Sequence, residues 1–206
     1  MNDNPTAAAP RTSSGPRPGL RERQKARTRA DIRAAALELF DRNGYEATTV
    51  AQIAEAANVS HTTFFRYFQS KEQVIISDDL DDERDAILQE IPAGLSHFGL
   101  VRELITRMYR IAEKDEWAAN PERLRILHSE PSLRATYQFE SDRVISAATD
   151  YFADYLGVAH DDFRLRVFVS AVSGVMFHLT DITRTGLASL DEYLAALDLM
   201  EQGLPV

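Results

Sequence analysis

Cysteine is absent from the 206 residues, which removes disulfide frameworks, thiolate nucleophiles and cysteine-ligated metal sites together. No apolar run is long enough to span a bilayer. The longest, VFVSAVSGVMFHLT at 167–180, falls short and is interrupted by Ser170, Ser173 and His178. The first twenty residues lack the apolar core of a signal peptide, so a soluble cytoplasmic protein with no membrane partner is expected. There is no glycine-rich phosphate loop and no H-E-x-x-H or other His/carboxylate pair at catalytic or metal spacing. The expectation is therefore no enzyme, no cofactor and no metal. Alternating apolar–polar runs and two-residue hairpin signals are missing as well, and no repeat period is visible, which leaves an all-α chain.

What is present is divided along the chain. The formal net charge is -9, yet residues 1–71 hold 11 Lys/Arg and 7 Asp/Glu, a net of +4, while the remainder holds 12 and 25, a net of -13. A basic front end on an acidic body directs any polyanion to the front end. Residues 1–19 are rich in Pro, Ala, Ser and Gly and show no apolar periodicity, the composition of a disordered arm. Its Arg11 and Arg17, with Arg21 and Arg23 beyond, suit a phosphate backbone and a solubilising tail about equally.

About nine helices are expected. Ile32, Ala35, Ala36, Leu39 and Phe40 recur at helical spacing until Asn43-Gly44. Thr49-Val50-Ala51-Gln52 reads as a capping box, in which a hydroxyl takes an orphan backbone N–H and the Gln side chain reaches back. The helix it opens ends near Ala57, where Asn58-Val59-Ser60 supplies a turn residue, a buried anchor and a new N-cap. A third helix covers 60–68. A fourth, opened by Ser70-Lys71-Glu72-Gln73, runs on to Pro92 and Gly94. Further helices follow at 97–118, 121–129, 132–156, 161–185 and 190–202, the last opened by the capping box at Ser189.

Two short helices joined by a three-residue turn, after a longer helix, have the layout of a helix-turn-helix. Such a unit lays its second helix in a DNA major groove. The domains expected are an arm at 1–19, a helix-turn-helix domain at 20–70, and a ligand-binding and dimerisation domain at 71–206. The segment ARTRADIRAAALELFDRNGYEATTVAQIAEAANVSHTTFFRYFQSKEQVI, residues 26–75, resembles the DNA-binding domain of the TetR family of transcriptional regulators. Its markers are AALELF, then G-Y-x-A-T-T-V-x-x-I-A-x-A-A-x-V-S, then F-F-R-Y-F and S-K-E. FFRYFQSKEQVI with the DDLDDE segment that follows is also similar to actinobacterial members, including regulators of mycofactocin gene clusters.

That resemblance implies roles which residue chemistry can test. Phe64 and Phe68, four apart, belong on the buried face with Val59, while Phe65, Arg66 and Tyr67 face outward. Family members carry Tyr where Phe65 stands, and its hydroxyl holds a phosphate. Here a thymine methyl or the sugar wall is the available contact. Arg66 suits a guanine edge and a phosphate equally. Ser60, His61, Thr62 and Thr63 form the first turn, with the last three the expected base readers, although an exposed helix-start residue fits His61 as well. Thr49 and Lys71 match phosphate-holding positions of the family. Lys71 at a helix N-terminus opposes the macrodipole, which a nearby polyanion would offset. Asp78, Asp82 and Asp85 would share one face of a continuous helix, where a solvated, DNA-averse surface outweighs a cation site.

In the body, the helix over 161–185 is apolar on two sides: Leu165, Phe168, Val172, Val175 and Leu179 on one, Val167, Ala171, Gly174 and His178 on the other. Small residues admit close approach of a partner helix. With the last helix this predicts a homodimer seam including Ser170, Gly174, Phe177, Leu194 and Leu197, as the resemblance also implies. The resemblance further implies a small-molecule pocket for a hydrophobic effector, with Met108, Trp117, His128, Tyr137, Met176 and His178 as candidates against an ordinary core. Arg102, Arg107 and Arg110 would suit an acyl, carboxylate or CoA ligand. The function expected is a homodimeric repressor released from a palindromic double-stranded DNA operator by its ligand. The alternatives are an activator or acyl-CoA-responsive regulator of the same fold, then a helical protein-interaction module or enzyme.

Overall fold

The computed structural model describes residues 19–183 and 188–205, with side chains for all of these except 138–141 and 180–183. Most of the expected arm, with Arg11 and Arg17, and the last two residues of the helix expected over 161–185 lie outside the described residues. Within them the chain is all-α, in ten helices: α1 Leu20–Asn43, α2 Val50–Ala56, α3 His61–Tyr67, α4 Lys71–Ile76, α5 Asp81–Glu90, α6 His97–Lys114, α7 Pro121–Ser129, α8 Pro131–Leu156, α9 Phe163–Thr183 and α10 Leu190–Glu201.

Local chemistry accounts for most boundaries. Thr49 and Ser189 each make both halves of a capping box, with Gln52 and Glu192, and Ser60, Ser70, Ser96 and Asn120 accept from the backbone N–H three residues on. α8 ends at Gly157, whose left-handed φ of 67° and N–H to Ala153 O need a residue without Cβ strain.

Two apolar clusters organise the fold. The first joins α1, α2, α3 and α4 through Ile32, Phe40, Ile53, Phe64 and Val74, and takes in Ile126, Leu127 and Leu133 from α7 and α8. The second joins α6, α8, α9 and α10 through Leu100, Phe152, Val169 and Leu197. The first cluster thus continues past residue 70 into the body, so movement of α7 or α8 acts directly on the packing of α4.

The largest departure from expectation is in the fourth helix, while α6 also ends at Lys114, four residues short of the expected 118. The helix expected from Ser70 to about Pro92 is two, α4 and α5, separated by 77–80 although that stretch holds neither Pro nor Gly. Side chains from elsewhere take the carbonyls that a continuous helix would use. Ser77 O accepts from Arg33 Nη2 at 3.0 Å and Trp117 Nε1 at 3.0 Å, while Ile75 O and Ile76 O accept from Arg123. Asp78 turns back to its own segment, accepting from Leu80 N and from Arg84. Hence Asp78 does not share a helix face with Asp82 and Asp85.

Candidate nucleic-acid interface and effector cavity

The reading helix is held by two rings and a cap. Phe64 and Phe68 are buried with centroids 6.0 Å apart, and Asn58, at a left-handed φ of 53°, lets Val59 N return to Ala54 O and set the angle between α2 and α3. Ser60 Oγ accepts from Thr63 N at 3.0 Å and shares a hydrogen bond with the Thr63 hydroxyl at 2.9 Å. Those two residues therefore stiffen the first turn, whereas His61, Thr62 and Arg66 are exposed. Phe65 is 44% exposed, lying edge-on to His61 at 4.8 Å and to Phe64 at 5.4 Å. With no hydroxyl, its ring props the His61 imidazole at the helix start and leaves an apolar edge to solvent. The Arg66 guanidinium sits over the half-buried Tyr67 ring at 5.3 Å. Thr49, exposed at the start of α2, pairs its hydroxyl with Gln52 Oε1 at 3.0 Å.

Lys71 is a correction. Its ammonium donates to Tyr45 O at 2.8 Å, Thr48 O at 3.1 Å and Glu46 O at 3.4 Å, and lies 4.2 Å from the Tyr45 ring centroid. The loop after α1 thus offsets the unfavourable helix-end charge, and the polyanion argued from that charge is not needed. Beside it, Tyr45 Oη donates to Glu72 at 3.0 Å. Burial and the Glu72 charge push the Tyr45 hydroxyl well above its usual range. Burial would also raise Glu72, but hydrogen bonds from Ser70, its own backbone and Tyr45 hold it below the ordinary carboxylate range.

The acidic segment is also only partly the solvated face expected. Asp79 bridges Arg29 at 2.5 Å and Arg33 at 2.9 Å, and Asp78 makes a two-pronged pair with Arg84, whereas Asp81, Asp82 and Asp85 are exposed. Burial would raise the Asp78 carboxyl, but the Arg84 bond outweighs it and keeps it ionised below its usual range. Among the described residues no group of three His, Cys, Asp or Glu side chains could hold a metal ion.

Between the reading unit and the body lies a junction that hydropathy reading passed over. Arg123 of α7 is buried, and its guanidinium donates to Ile75 O at 2.7 Å, Ile76 O at 2.9 Å and Ala118 O at 3.1 Å, capping the C-terminal end of α4. Burial pushes the Arg123 guanidinium down, and Asp78 pulls it back up. The Trp117 ring lies under Arg33 at 4.7 Å and near Arg123 at 5.7 Å. Trp117, expected at the effector pocket, is instead a junction residue. Arginines at these positions carry no apolar signal, and only Asn120-Pro121, which opens α7 immediately before, marks the neighbourhood.

Residues 32–77 match the family profile described as bacterial regulatory proteins, tetR family, and residues 96–205, more than half of the chain, match the MftR C-terminal domain. The HTH-type transcriptional regulator TcmR of Streptomyces glaucescens is 37% identical over 183 residues, spanning 84% of this chain and 80% of that protein. The chain belongs to the TetR family. It is a DNA-binding transcriptional regulator, and the MftR-type body agrees with the similarity to mycofactocin-cluster regulators. Among solved structures, FadR of Thermus thermophilus, a TetR-family repressor in complex with lauroyl-CoA, has a TM-score of 0.51 at 24% identity over 86% of this chain and 95% of that one. FadR from Bacillus halodurans has a TM-score of 0.55 at 18% identity, over 86% of this chain and 96% of that one. These two share the fold.

In the TetR-family body, α6, α8 and α9 border a partly open cavity of about 180 Å³ lined by Val101, Ile105, Phe152, Phe168, Val172 and Met176 among others, with Ser173 the one polar residue of the lining. Of the six effector candidates only Met176 lines it. Met108 stands half-buried on α6 and His128 on α7, while Tyr137 stacks on Phe177 at 5.6 Å beside the first core. His178 is exposed on the outer side of α9, away from the cavity. Arg102 is paired with Asp198 at 2.5 Å and Glu201 at 2.6 Å, and Arg107 with Glu103 and Glu90. Neither arginine is directed to an anionic ligand. Arg107 and Arg110 do line a second, open depression of about 360 Å³ between α5 and α6, with Ile87, Glu103, Thr106 and Ile111.

The seam residues divide. Ser170 and Gly174 are exposed on one face of α9 with Ala171, Val167 at 51% and Phe163 at 74% exposure. Leu197 is fully buried in the protomer's own second core, Leu194 packs half-buried against it, and Phe177 turns inward onto Tyr137. Those three are corrections: periodicity identifies two apolar faces but not which one the chain covers itself. No described helix is long and apolar enough to cross a membrane.

Proposed function

We propose that the chain is a homodimeric repressor that sets two copies of α3 in successive major grooves of an inverted-repeat operator and leaves it when a small, largely apolar molecule occupies the body. The observation that carries this reading is the outward surface of α3, where His61, Thr62, Phe65 and Arg66 stand exposed on a helix anchored by Phe64 and Phe68. A helix fits a groove ~12 Å wide, and two copies ~34 to 36 Å apart impose the palindrome. Thr49, Ser60, Thr63 and Tyr67 support the contact through the phosphates and by stiffening the first turn. Dimerisation uses the outer face of α9, where Ser170, Ala171 and Gly174 admit a second copy next to the exposed apolar residues Phe163 and Val167.

The effector class follows from the cavity lining, apolar apart from Ser173, and favours a hydrophobic body with one hydroxyl or carbonyl. Its entry displaces α8 against α4, whose end Arg123 holds, and so changes the separation of the two reading helices. By linkage the operator weakens effector binding to the same degree. The setting is the cytoplasm, where the operator is.

Base reading by His61 has a distinct signature. His61→Ala should alter preference at one operator position by about 1 to 3 kcal/mol and leave other positions unchanged, measured by competition among single-base variants of a selected fragment. A uniform loss across all variants would reassign His61 to the backbone.

A further inference from the structure

The acidic linker between α4 and α5 is tied to the far end of the reading helix. Asp79 holds two arginines of α1, one on each oxygen: Oδ1 accepts from Arg29 at 2.5 Å and Oδ2 from Arg33 at 2.9 Å. Arg33 closes the linker on itself, donating to Ser77 O at 3.0 Å. Arg29 goes on to α3. Its second terminal nitrogen, Nη2, donates to Tyr67 O at 3.2 Å, and its guanidinium lies 5.2 Å from the centroid of the Phe68 ring.

Helix α3 spans only His61–Tyr67, so its ends decide its orientation. A helix this short does not stand on propagation alone, and its orphan backbone groups need partners. Ser60 supplies the partner at the start. At the other end the Tyr67 carbonyl meets a cation, the favourable sign for a helix C-terminus. Arg29 thus does for the last turn what Ser60 does for the first, and Asp79 sets how the Arg29 fork is turned.

Stability is a weak reason for this arrangement. The Asp79 side chain is 40% exposed and that of Arg29 25%, a range in which solvent screens an ion pair and it contributes little. Charge does not favour an acid here either, since a carboxylate beside the reading unit repels a polyanion. What Asp79 supplies is direction.

We propose that Asp79 is a positioning residue for DNA reading, acting through Arg29 to hold the C-terminal end of α3 at the tilt that brings His61, Thr62 and Arg66 to the bases. This rests on the operator reading above. An acidic residue then promotes binding to DNA, the opposite of what its charge alone predicts.

The test compares the full chain with Asp79→Asn, Arg29→Met and the double variant on a selected operator fragment over a salt series. Asp79→Asn keeps the shape and removes a negative charge, so electrostatics alone predicts equal or tighter binding. The positioning role predicts weaker binding, on the order of tenfold, the scale of one charge-assisted hydrogen bond. Discrimination among single-base variants should fall at several positions of the half-site together, whereas His61→Ala alters one. Because Asp79 acts through Arg29, Asp79→Asn should cost no further affinity in the Arg29→Met background. The slope of log affinity against log salt should stay parental throughout; a loss of ~0.9 in Arg29→Met would make Arg29 a phosphate ligand and overturn the relay. A thermal midpoint for Asp79→Asn within a few degrees of the parent's separates weaker binding from unfolding. Binding by Asp79→Asn as tight as the parent's, or losses that add in the double variant, would overturn the positioning role alone. Failure of the parent to bind any duplex would remove the operator reading and the positioning role with it.

Discussion

Gly174→Arg is expected to leave each protomer folded while lowering affinity for a two-half-site operator by about 100-fold or more, the scale on which joint engagement of two sites exceeds one. A Cβ built at Gly174 meets nothing within 4 Å, so in the isolated protomer the new side chain enters open space. Replacing a mid-helix glycine adds helix propensity, which makes the protomer at least as stable. In the proposed dimer the position is different. Gly174 lies with Ser170 and Ala171 on the exposed face of α9, where small side chains let a second α9 approach to the 8–10 Å of closely packed helices, an interval with no room for a guanidinium. A two-fold interface meets itself, so each substitution is encountered twice. Sedimentation should report a monomer with the parental helix content, and DNA titration should report half-site affinity only. A stable dimer carrying arginine at this position would move the interface elsewhere.

Arg123→Met is expected to cost about 3 kcal/mol or more, because three carbonyls lose a charged donor and are left in a space that hydrophobic side chains close to water. For a chain of this size that corresponds to a thermal midpoint lowered by on the order of 10 °C. Two of those carbonyls, Ile75 O and Ile76 O, are orphans of the C-terminal end of α4, and the third, Ala118 O, belongs to the turn before α7, so the guanidinium ties the two parts together. Methionine keeps the aliphatic packing and removes the fork. Lysine should rescue poorly, since a single ammonium cannot reproduce three planar donors aimed in different directions. The same variant should loosen communication between body and reading helix: operator affinity in Arg123→Met should respond less to effector than in the parent, with the difference read as a smaller ratio of affinities with and without effector. Full coupling in a destabilised but folded variant would confine Arg123 to a stabilising role.

Where backbone chemistry alone ends a helix, the residues announce it. Thr49 with Gln52, Ser60 before His61 and Ser189 with Glu192 are legible as caps because each needs only groups within three residues. The four-residue spacing of Phe64 and Phe68 likewise sorts α3 into a buried and an open face. The division of α4 from α5 was not legible. Ser77 to Leu80 breaks the helix through Arg33, Trp117 and Arg123, partners 40 to 48 positions away in the chain, and no local pattern encodes those bonds. Lys71 failed for a related reason, since its carbonyl partners come from the loop at 45–48, about two dozen residues earlier. In the body, hydropathy identified α9 as apolar on two sides. Placing Leu197 and Phe177 inside the protomer and Ser170 and Gly174 outside it required the packing of α10 and α8 against α9. The effector cavity was the least legible feature, because a cavity wall and a filled core use the same residue types.

The most direct test of the account is selection of bound fragments from a random duplex pool by the full chain, at low and at moderate salt. The account predicts enrichment of one inverted repeat with half-sites a helical turn or a multiple apart, and a base preference at the repeat that changes when His61 or Arg66 is substituted. Enrichment of no sequence at either salt, with the chain folded and dimeric, would contradict it.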